Sequence, residues 1–204
     1  MFQQPSDAPS AGSSDGRLRL ETQRLVLREW TASDIPDLVE GLNDLGVAQW
    51  LALVPHPYTV EAAEQWLAYC ARLAEAGPER TGYELAIELR SERKAIGGVS
   101  LTRISRLHGT AGGGIWLNAH YQGHGYGLEA FGEKIRFAFE DLGLRKLENG
   151  YFPGNTASQA MQEKLGYRPE GLRRQAYRCL ADGLIKDECL TGLLIQEWQR
   201  PPRR

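Results

Sequence analysis

The sequence predicts one α/β domain, in which a single mixed and mostly antiparallel sheet carries helices on both faces. One reason is a β-hairpin, because the alternating segments YELAIELR and AIGGVSLTRI flank the polar tetrapeptide SERK. The second is a βαβ crossover, in which the candidate strand GGGIWLN is followed by a glycine-rich loop, an amphipathic helix and a further strand. With 204 residues, the chain is long enough to bury one core. The complete order, β-α-α-β-β-β-α-β-α-β-β, joins a hairpin-built half to the crossover and fits one sheet.

Ahead of the hairpin, the pattern predicts a strand and two helices. Residues Arg17–Trp30 alternate apolar and charged side chains in their second half, as a half-buried strand does. The segment TASD has the form of a capping box, so Thr31 or Ser33 is expected to cap the first helix. Thr59 is expected to cap the second helix, Val60–Ala76, whose apolar residues recur at helical spacing.

After the hairpin and GGGIWLN, the pattern predicts the helix of the crossover and the rest of the sheet. Residues Gly127–Leu142 carry apolar side chains on one helix face, and Lys146–Phe152 form the next strand. The segment PGNTASQAMQEKLGY then predicts a turn and a short helix. Two late strands, Arg168–Arg174 and Ile185–Ile195, are separated by the turn signal ADG.

Composition argues against several classes of protein. Apolar residues make up 42% of the chain and the formal charge is −2, which gives no electrostatic signature of a nucleic-acid-binding protein. No run approaches the ~20 apolar residues of a membrane span, and the first residues lack the basic and apolar regions of a signal peptide. Cys70, Cys179 and Cys189 show no CxxC spacing and no adjacent histidine, so we expect reduced thiols, no metal site and a cytoplasmic location.

Both ends of the chain differ in composition from the middle. Residues 1–17 are rich in Ser, Pro, Gly, Asp and Gln and are expected to form a disordered tail. The end of the chain, RPPRR, indicates a second short tail at residues 199–204. The folded domain is therefore expected to span residues 18–198.

The loop YQGHGYGLEA contains more glycine than the start of a helix requires. Gly123, Gly125 and Gly127 each cost chain entropy on folding, and a helix can begin without them. Small residues let a ligand approach the backbone N–H groups, and the helix dipole favours an anion at this end. The loop therefore predicts a pyrophosphate site rather than a plain tight turn.

Gly125, Gly127 and Ala130 also satisfy the pattern GxGxxA of dinucleotide-binding folds. That fingerprint needs an acidic residue at the far end of the next strand to bind a ribose. Glu148 has about the required spacing but lies near the start of its strand, so a nicotinamide cofactor is the less favoured alternative. A P-loop is excluded because no Gly-Lys-Ser/Thr follows.

Two spaced motifs indicate a family resemblance for the loop and for the chain around it. Gln122, Gly125 and Gly127 form QxxGxG between a strand and a helix, which resembles the acetyl-CoA pyrophosphate motif of the GNAT superfamily of N-acetyltransferases. A later segment resembles the family pattern NxxSx(6)LGY/F, through Asn155, Ser158, Leu165, Gly166 and Tyr167. The opening ETQRLVLREWTASDI is similar to the branch that includes ribosomal-protein N-terminal acetyltransferases. The resemblance spans about Leu20 to Trp198.

The resemblance implies how acetyl-CoA, the acetyl donor, would bind. In this family a bulge splays the strand before the glycine loop away from the strand after the helix, and the pantetheine arm enters that gap. Backbone groups of Ile115, Trp116 and Leu117 would meet the pantetheine amides. Gln122 opens the pyrophosphate loop, whose backbone amides belong to Gly123, His124, Gly125, Tyr126, Gly127 and Leu128. Asn155 is expected to contact the cofactor, to cap a helix, or both.

For catalysis, the resemblance places Ser158 near the CoA sulfur, where its hydroxyl could protonate or stabilise the departing thiolate. A backbone amide near Leu117 or Trp116 is the expected oxyanion donor. No covalent enzyme intermediate is required, so the cysteines are not expected to be nucleophiles. Many family members carry a tyrosine acid four residues after this serine, where Gln162 stands here. Proton donation is therefore expected from Ser158 or from water.

The general base is not identified by the sequence. This branch often carries a glutamate early in the strand before the glycine loop, but Gly112 and Gly113 stand there. Other candidates are Glu84, Glu88, Glu148, His120 and His56. Glu129, at the start of a helix, is expected to interact favourably with the helix dipole.

The acceptor is expected to meet the first two helices and the loop between them. An aromatic and proline-rich wall there consists of Trp50, Pro55, His56, Pro57 and Tyr58, and Tyr177 and Asp187 in the last hairpin are further candidates. The favoured reaction is acetyl transfer from acetyl-CoA to a primary amine, with the N-terminal amine of a protein as the favoured acceptor class. Alternatives are a small amine, such as an aminoglycoside or polyamine, and a CoA-binding module without turnover. Dimers are common among similar proteins, so a homodimer is a further expectation.

Overall fold

A computed structural model describes residues 17–199 and forms one α/β domain. The predicted tails, 1–17 and 199–204, lie almost wholly outside the described residues. Strands in the described part are β1 (Arg19–Glu21), β2 (Leu25–Glu29), β3 (Tyr83–Leu89), β4 (Lys94–Ser105), β5 (Thr110–Gly112), β6 (Ile115–Leu117), β7 (Lys146–Tyr151), β8 (Arg168–Arg178) and β9 (Ile185–Leu194). They form a single sheet, as the sequence predicted.

The sheet has the order β1-β2-β3-β4-β5-β7-β9-β8, and β6 pairs with β4 alongside β5. Only β5 and β7 pair in parallel among the described strands, and every other pairing is antiparallel. That one parallel pair is the βαβ crossover, and β3 and β4 are the predicted hairpin. The mixed, mostly antiparallel sheet is confirmed.

Helices cover both faces of the sheet. Their bounds are α1 (Ile35–Leu42), α2 (Leu45–Ala48), α3 (Val60–Glu75), α4 (Tyr126–Arg136) and α5 (Thr156–Lys164). On one face α1 and α3 pack around Leu38 and Ala63, and on the other α4 packs through Phe131 and Ile135 onto the central strands. Met161 of α5 joins the second of these cores, so α4 and α5 share a face.

Local differences from the prediction have local causes. The predicted strand Arg17–Trp30 is two strands, because Thr22 N donates to Leu25 O and turns the chain back. The predicted capping box is present, with Asp34 accepting from the backbone N–H of Thr31 at 2.8 Å. A short helix, α2, was not predicted; its four residues are too few for periodicity to indicate.

The strand before the glycine loop is broken at Gly113, and this break opens the sheet. Gly113 has a φ of 128°, and a Cβ there would collide with the backbone carbonyl of Ser100, so only glycine fits. Before the break, β5 pairs with β7 as far as Leu147. After it, β6 pairs with β4 only, so β6 and β7 diverge. The predicted splay is therefore confirmed.

Candidate functional site

A cleft of about 530 Å³ follows the gap between β6 and β7 and passes the start of α4 and one side of α5. It is lined by Gly46, Val47, Trp50, Leu51, Gly114, Ile115, Trp116, Leu117, Gln122, Gly123, Gly125, Gly127, Leu128, Asn149, Gly150, Tyr151, Asn155, Ala157, Ser158, Ala160, Met161 and Lys164. Most of the predicted site residues therefore meet in one cleft. His124 and Tyr126 do not line it; their rings stack on each other with centroids 5.8 Å apart.

The outer edge of β6, on the side away from β4, faces this gap. Asn118 N donates to β4 and Gly114 O accepts from β4, each at 2.9 Å. Because successive residues of an antiparallel strand point their polar groups to opposite sides, Trp116 also faces β4, whereas Ile115 and Leu117 face the gap. The contacts expected of the β6 backbone would therefore come from Ile115 and Leu117. Trp116 also lines the cleft, and its indole stacks on that of Trp30 with ring centroids 6.4 Å apart.

The glycine loop has the backbone that an anion cradle needs. Gly123 and Gly125 have φ angles of 79° and 81°, in the left-handed region, and Gly125 caps α4. The first N–H groups of α4 lack partners within the helix, and a Cβ on Gly123 would meet nothing within 4 Å. Gly127 has an ordinary φ, and a Cβ there would make only ordinary contacts, so the backbone does not require that glycine.

Side-chain hydrogen bonds fix the position of the loop at both of its ends. Gln122 Nε2 donates to Leu117 O at 3.0 Å, which ties the loop to β6. Glu129 accepts from Thr22 Oγ1 at 2.6 Å and from Arg24 N and Nε at 2.8 and 2.7 Å. Arg24 also donates to His124 O at 3.0 Å. The sequence predicted only a dipole interaction for Glu129, whereas its carboxylate joins the loop to the β1–β2 turn.

Burial works against ionisation of Glu129, but hydrogen bonds from Thr22 and Arg24 outweigh it and hold the pKa of the carboxyl below its ordinary value. The Glu129 side chain is therefore an ionised carboxylate at neutral pH. Because its partners are more than a hundred residues away in sequence, no local pattern could have predicted them.

Asn155 and Ser158 both line the cleft. Asn155 Oδ1 accepts from Ser158 N at 3.1 Å, so the predicted helix cap is present. Ser158 Oγ accepts from Gln162 Nε2 at 3.0 Å, and Gln162 Oε1 accepts from Thr191 Oγ1 at 2.6 Å. The sequence identified Gln162 only as the residue that replaces a tyrosine.

Asn149 is a cleft residue that sequence reasoning missed. It is 8% exposed, and its Oδ1 is buried with no hydrogen-bond partner within the described residues. A buried carbonyl oxygen without a partner is costly. The only available signal was a polar residue at a buried strand position of KLENGY, which is too weak to predict a ligand contact.

None of the predicted general bases lines the cleft. Glu88 is paired with an arginine of β2 at 2.6 Å, and Glu148 is exposed beside a lysine at 3.5 Å. His56 and His120 are exposed. Glu84 lies in a separate cavity of about 720 Å³ between α3 and the strands β2 and β3, and burial raises its pKa to about 8.

We expect Glu84→Gln to stabilise the protein at pH 8 without slowing turnover. The folded-state pKa of Glu84 is raised above the ordinary value of 4.5, so its protonated form favours folding below pH 4.5 and this contribution is lost as pH rises towards 8. The variant should then gain at least about 1 kcal/mol in free energy of unfolding at pH 8 and nothing at pH 4. Urea unfolding at both pH values measures this difference. A large fall in kcat would instead make Glu84 part of the reaction.

The expected acceptor wall is only partly at the cleft. Trp50 lines it, and its loop is held to the last hairpin because Lys186 Nζ donates to Gln49 O at 2.6 Å. Tyr58 is buried against α1 and α3 instead. The cleft is not lined by the wall residues Pro55, His56 and Pro57, nor by the separate candidates Tyr177 and Asp187.

A split sheet, with a glycine-rich helix start and a half-buried hydroxyl beside the gap, is the arrangement expected of an acyltransferase that takes its acyl group from coenzyme A. More specifically, the chain belongs to the GNAT acetyltransferases: the acetyltransferase (GNAT) domain model matches residues 24–168. GNAT acetyltransferases use acetyl-CoA as the acetyl donor. The chain is therefore an acetyl-CoA-dependent N-acetyltransferase, and the resemblance inferred from the sequence is confirmed.

Two relatives show how far the similarity extends. The chain is 26% identical over 156 residues to the uncharacterized N-acetyltransferase YoaA of Bacillus subtilis, covering 76% of this chain and 86% of that one. It is 24% identical over 190 residues to the [ribosomal protein uS5]-alanine N-acetyltransferase of Escherichia coli, covering 89% and 93%.

Solved structures share the fold. A Vibrio cholerae protein, provisionally described as a ribosomal-protein-serine acetyltransferase, superposes with a TM-score of 0.74 at 28% identity, covering 87% of this chain and 97% of that one. The spermidine N-acetyltransferase of Vibrio cholerae, solved with CoA and spermine, gives a TM-score of 0.71 at 18% identity, covering 86% and 98%.

Across residues 17–199, no helix combines the length and apolar character that crossing a membrane requires.

Proposed function

We propose that this acetyltransferase acts on the N-terminal amine of a protein, with the acetyl donor held in the gap between β6 and β7. The observation that carries the proposal is the continuity of the cleft, which runs from the glycine loop, past Ile115 and Leu117 on the outer edge of β6, to Ser158. The E. coli relative is named for an alanine of ribosomal protein uS5, and it is matched over almost its full length. That relationship favours a protein acceptor.

The residues around the cleft fit acetyl-CoA. Backbone N–H groups of residues 123–128, at the positive end of α4, would bind the pyrophosphate. The outward N–H and C=O of Ile115 would extend the β6 ladder to the pantetheine amides. The Leu117 N–H is left for the acetyl oxygen, because Leu117 O already accepts from Gln122 Nε2. Asn149 Oδ1, which is buried and has no hydrogen-bond partner among residues 17–199, would accept from one pantetheine N–H. Asn155 would serve as helix cap and cleft contact together.

Acetyl-CoA supplies an acetyl group activated as a thioester. The Leu117 N–H, which faces the gap, stabilises the negative charge that develops on the acetyl oxygen. The Ser158 hydroxyl passes a proton to the sulfur as the sulfur–carbon bond breaks and takes up another proton from solvent in the same step, so the thiol leaves and the hydroxyl is restored. The amine must be neutral to attack, and no carboxylate or histidine lines the cleft among residues 17–199. Solvent therefore removes the proton from the amine.

This assignment predicts a pH profile that follows the acceptor and not the enzyme. With a peptide α-amine, kcat/KM should rise about tenfold per pH unit and level off near pH 8; with a primary alkylamine it should level off above pH 10. Initial rates of thiol release at low acceptor concentration measure both curves. A plateau at one common pH for both acceptors would reveal a resident base and overturn this part of the mechanism.

A polyamine is the second candidate acceptor. The fold it shares with spermidine N-acetyltransferase supports it, but a polycation needs carboxylates, and the described lining offers Lys164 instead. We therefore expect peptides that begin with alanine or serine to give a kcat/KM at least about tenfold above that of spermidine or an aminoglycoside. Thiol release measured across such a panel distinguishes the two acceptor classes. CoA binding with no thiol release from any amine would indicate a binding module.

The three cysteines are free thiols in the structure. Free thiols are typical of reducing compartments, which supports the cytoplasmic location predicted from the sequence. The homodimer stays a prediction.

A further inference from the structure

Two consecutive hydrogen bonds connect Thr191 on the sheet to Ser158. Thr191 on β9 donates from Oγ1 to Gln162 Oε1 at 2.6 Å, and Gln162 donates from Nε2 to Ser158 Oγ at 3.0 Å. Thr191 is 6% exposed and Gln162 only 1%. These two hydrogen bonds therefore connect the solvent-shielded interior to the cleft.

Packing alone does not explain a carboxamide at position 162. Met161 on α5 and Leu165, which follows the last residue of that helix, pack against the apolar core. A leucine of similar volume would fill the site without the desolvation cost of a buried amide. The amide is tolerated here because both of its ends are hydrogen-bonded.

The direction of these bonds decides what the serine can do. In the structure the Gln162 oxygen lies on the Thr191 side and accepts from its hydroxyl, so the Gln162 NH₂ group faces Ser158. Ser158 Oγ is then an acceptor, and its hydrogen has no acceptor among residues 17–199. A serine in the first turns of a helix otherwise tends to donate to the carbonyl four residues earlier, which here belongs to Gly154. The Gln162 bond favours a hydroxyl hydrogen that is free to point into the cleft.

We infer that Gln162, held by Thr191, is a positioning residue for acetyl transfer: it keeps Ser158 Oγ as a hydrogen-bond acceptor so that the serine hydrogen is directed at the departing sulfur. This inference rests on the proposed role of Ser158 as proton donor. It also gives a reason for the glutamine that stands in place of a tyrosine: Gln162 orients the Ser158 hydroxyl and does not supply a proton itself.

The first test is Gln162→Leu, compared with Gln159→Leu on the exposed side of the same helix. We expect Gln162→Leu to lower kcat about tenfold, as one lost hydrogen bond implies, with an unchanged dissociation constant for acetyl-CoA. Gln159→Leu should match the unaltered protein. In a Ser158→Ala background, Gln162→Leu should have no further effect on kcat, because it acts through the serine.

Gln162→Glu gives a readout that a purely structural role would not move. An ionised carboxylate still accepts from Thr191 but would also accept from Ser158, which turns the serine hydrogen away from the cleft. A protonated carboxyl restores a donor to Ser158. The ratio of variant to unaltered kcat should therefore rise as pH falls, while the same ratio for Gln162→Leu stays flat with pH.

The outcomes separate the inference from the function on which it rests. If Ser158→Ala lowers kcat but Gln162→Leu and Thr191→Val, both folded by thermal melting, do not, the positioning role is wrong and the serine role stands. If Ser158→Ala leaves kcat unchanged, the serine role itself is wrong and the inference falls with it. Equal loss of kcat in Gln159→Leu would assign the effect to helix stability and also overturn the inference.

Discussion

Replacing Gly125 by valine is expected to raise the dissociation constant for acetyl-CoA by about 10³-fold, because two charge-assisted hydrogen bonds to the pyrophosphate, at about 2 kcal/mol each, are lost. Gly125 caps α4 with a φ of 81°, a conformation that a β-branched residue rarely adopts. The loop would have to change its backbone, and the N–H groups at the start of α4 would no longer converge.

Gly143→Val is the matched control for this experiment. Gly143 also has a left-handed φ, of 64°, with nothing within 4 Å of an added Cβ, and it does not line the cleft. The two variants should lose similar amounts of stability, but only Gly125→Val should lose affinity in isothermal titration calorimetry. Equal affinities in two folded variants would remove the glycine loop from the cofactor site.

Ser158→Ala should lower kcat by about 10²-fold, the lower end of what one proton donor contributes. The helix itself should be unaffected, because the Asn155 cap bonds to the backbone N–H of residue 158 and not to its side chain. Binding of acetyl-CoA should therefore stay within about twofold. Single-turnover thiol release separates this loss of chemistry from any loss of binding.

Thr156→Ala, an exposed change in the first turn of α5, controls for general effects on that helix. It should leave kcat unchanged. A Ser158→Ala enzyme that turns over at the rate of the unaltered protein would show that water, and not the serine, protonates the thiolate.

Local patterns predicted local structure well. The capping box at Thr31, the cap at Thr59 and the hairpin of β3 and β4 depend on residues only a few positions apart, and each is present. The glycine loop was predicted for the same reason, since left-handed φ angles at Gly123 and Gly125 follow from residue type at a turn.

Features that depend on tertiary register were not predicted. The carboxylate of Glu129 bonds to Thr22 and Arg24, and the amide of Gln162 bonds to Thr191. These contacts join elements that meet only once the sheet has formed. Likewise, the sequence could not show which of the β6 amides faces the gap. The register of β6 against β4 determines which alternate residues turn their backbone groups away from β4.

The position of the acceptor wall could be predicted only in part, for a related reason. An aromatic residue in a loop between helices can face either the cleft or the core, and its spacing does not distinguish the two. Trp50 faces the cleft, whereas Tyr58 is 5% exposed and packs in the core beneath α1 and α3. The side facing the acceptor is thus the part of the site about which the sequence contained the least information.

A crystal structure of the protein with CoA is the most direct test of the central claim, that the gap between β6 and β7 holds the acetyl donor. We predict the pyrophosphate on the amides of residues 123–128, the pantetheine beside Ile115 and Leu117, and the sulfur within hydrogen-bonding distance of Ser158 Oγ. CoA bound elsewhere, for example in the cavity beside Glu84, or a sulfur remote from Ser158, would contradict this account.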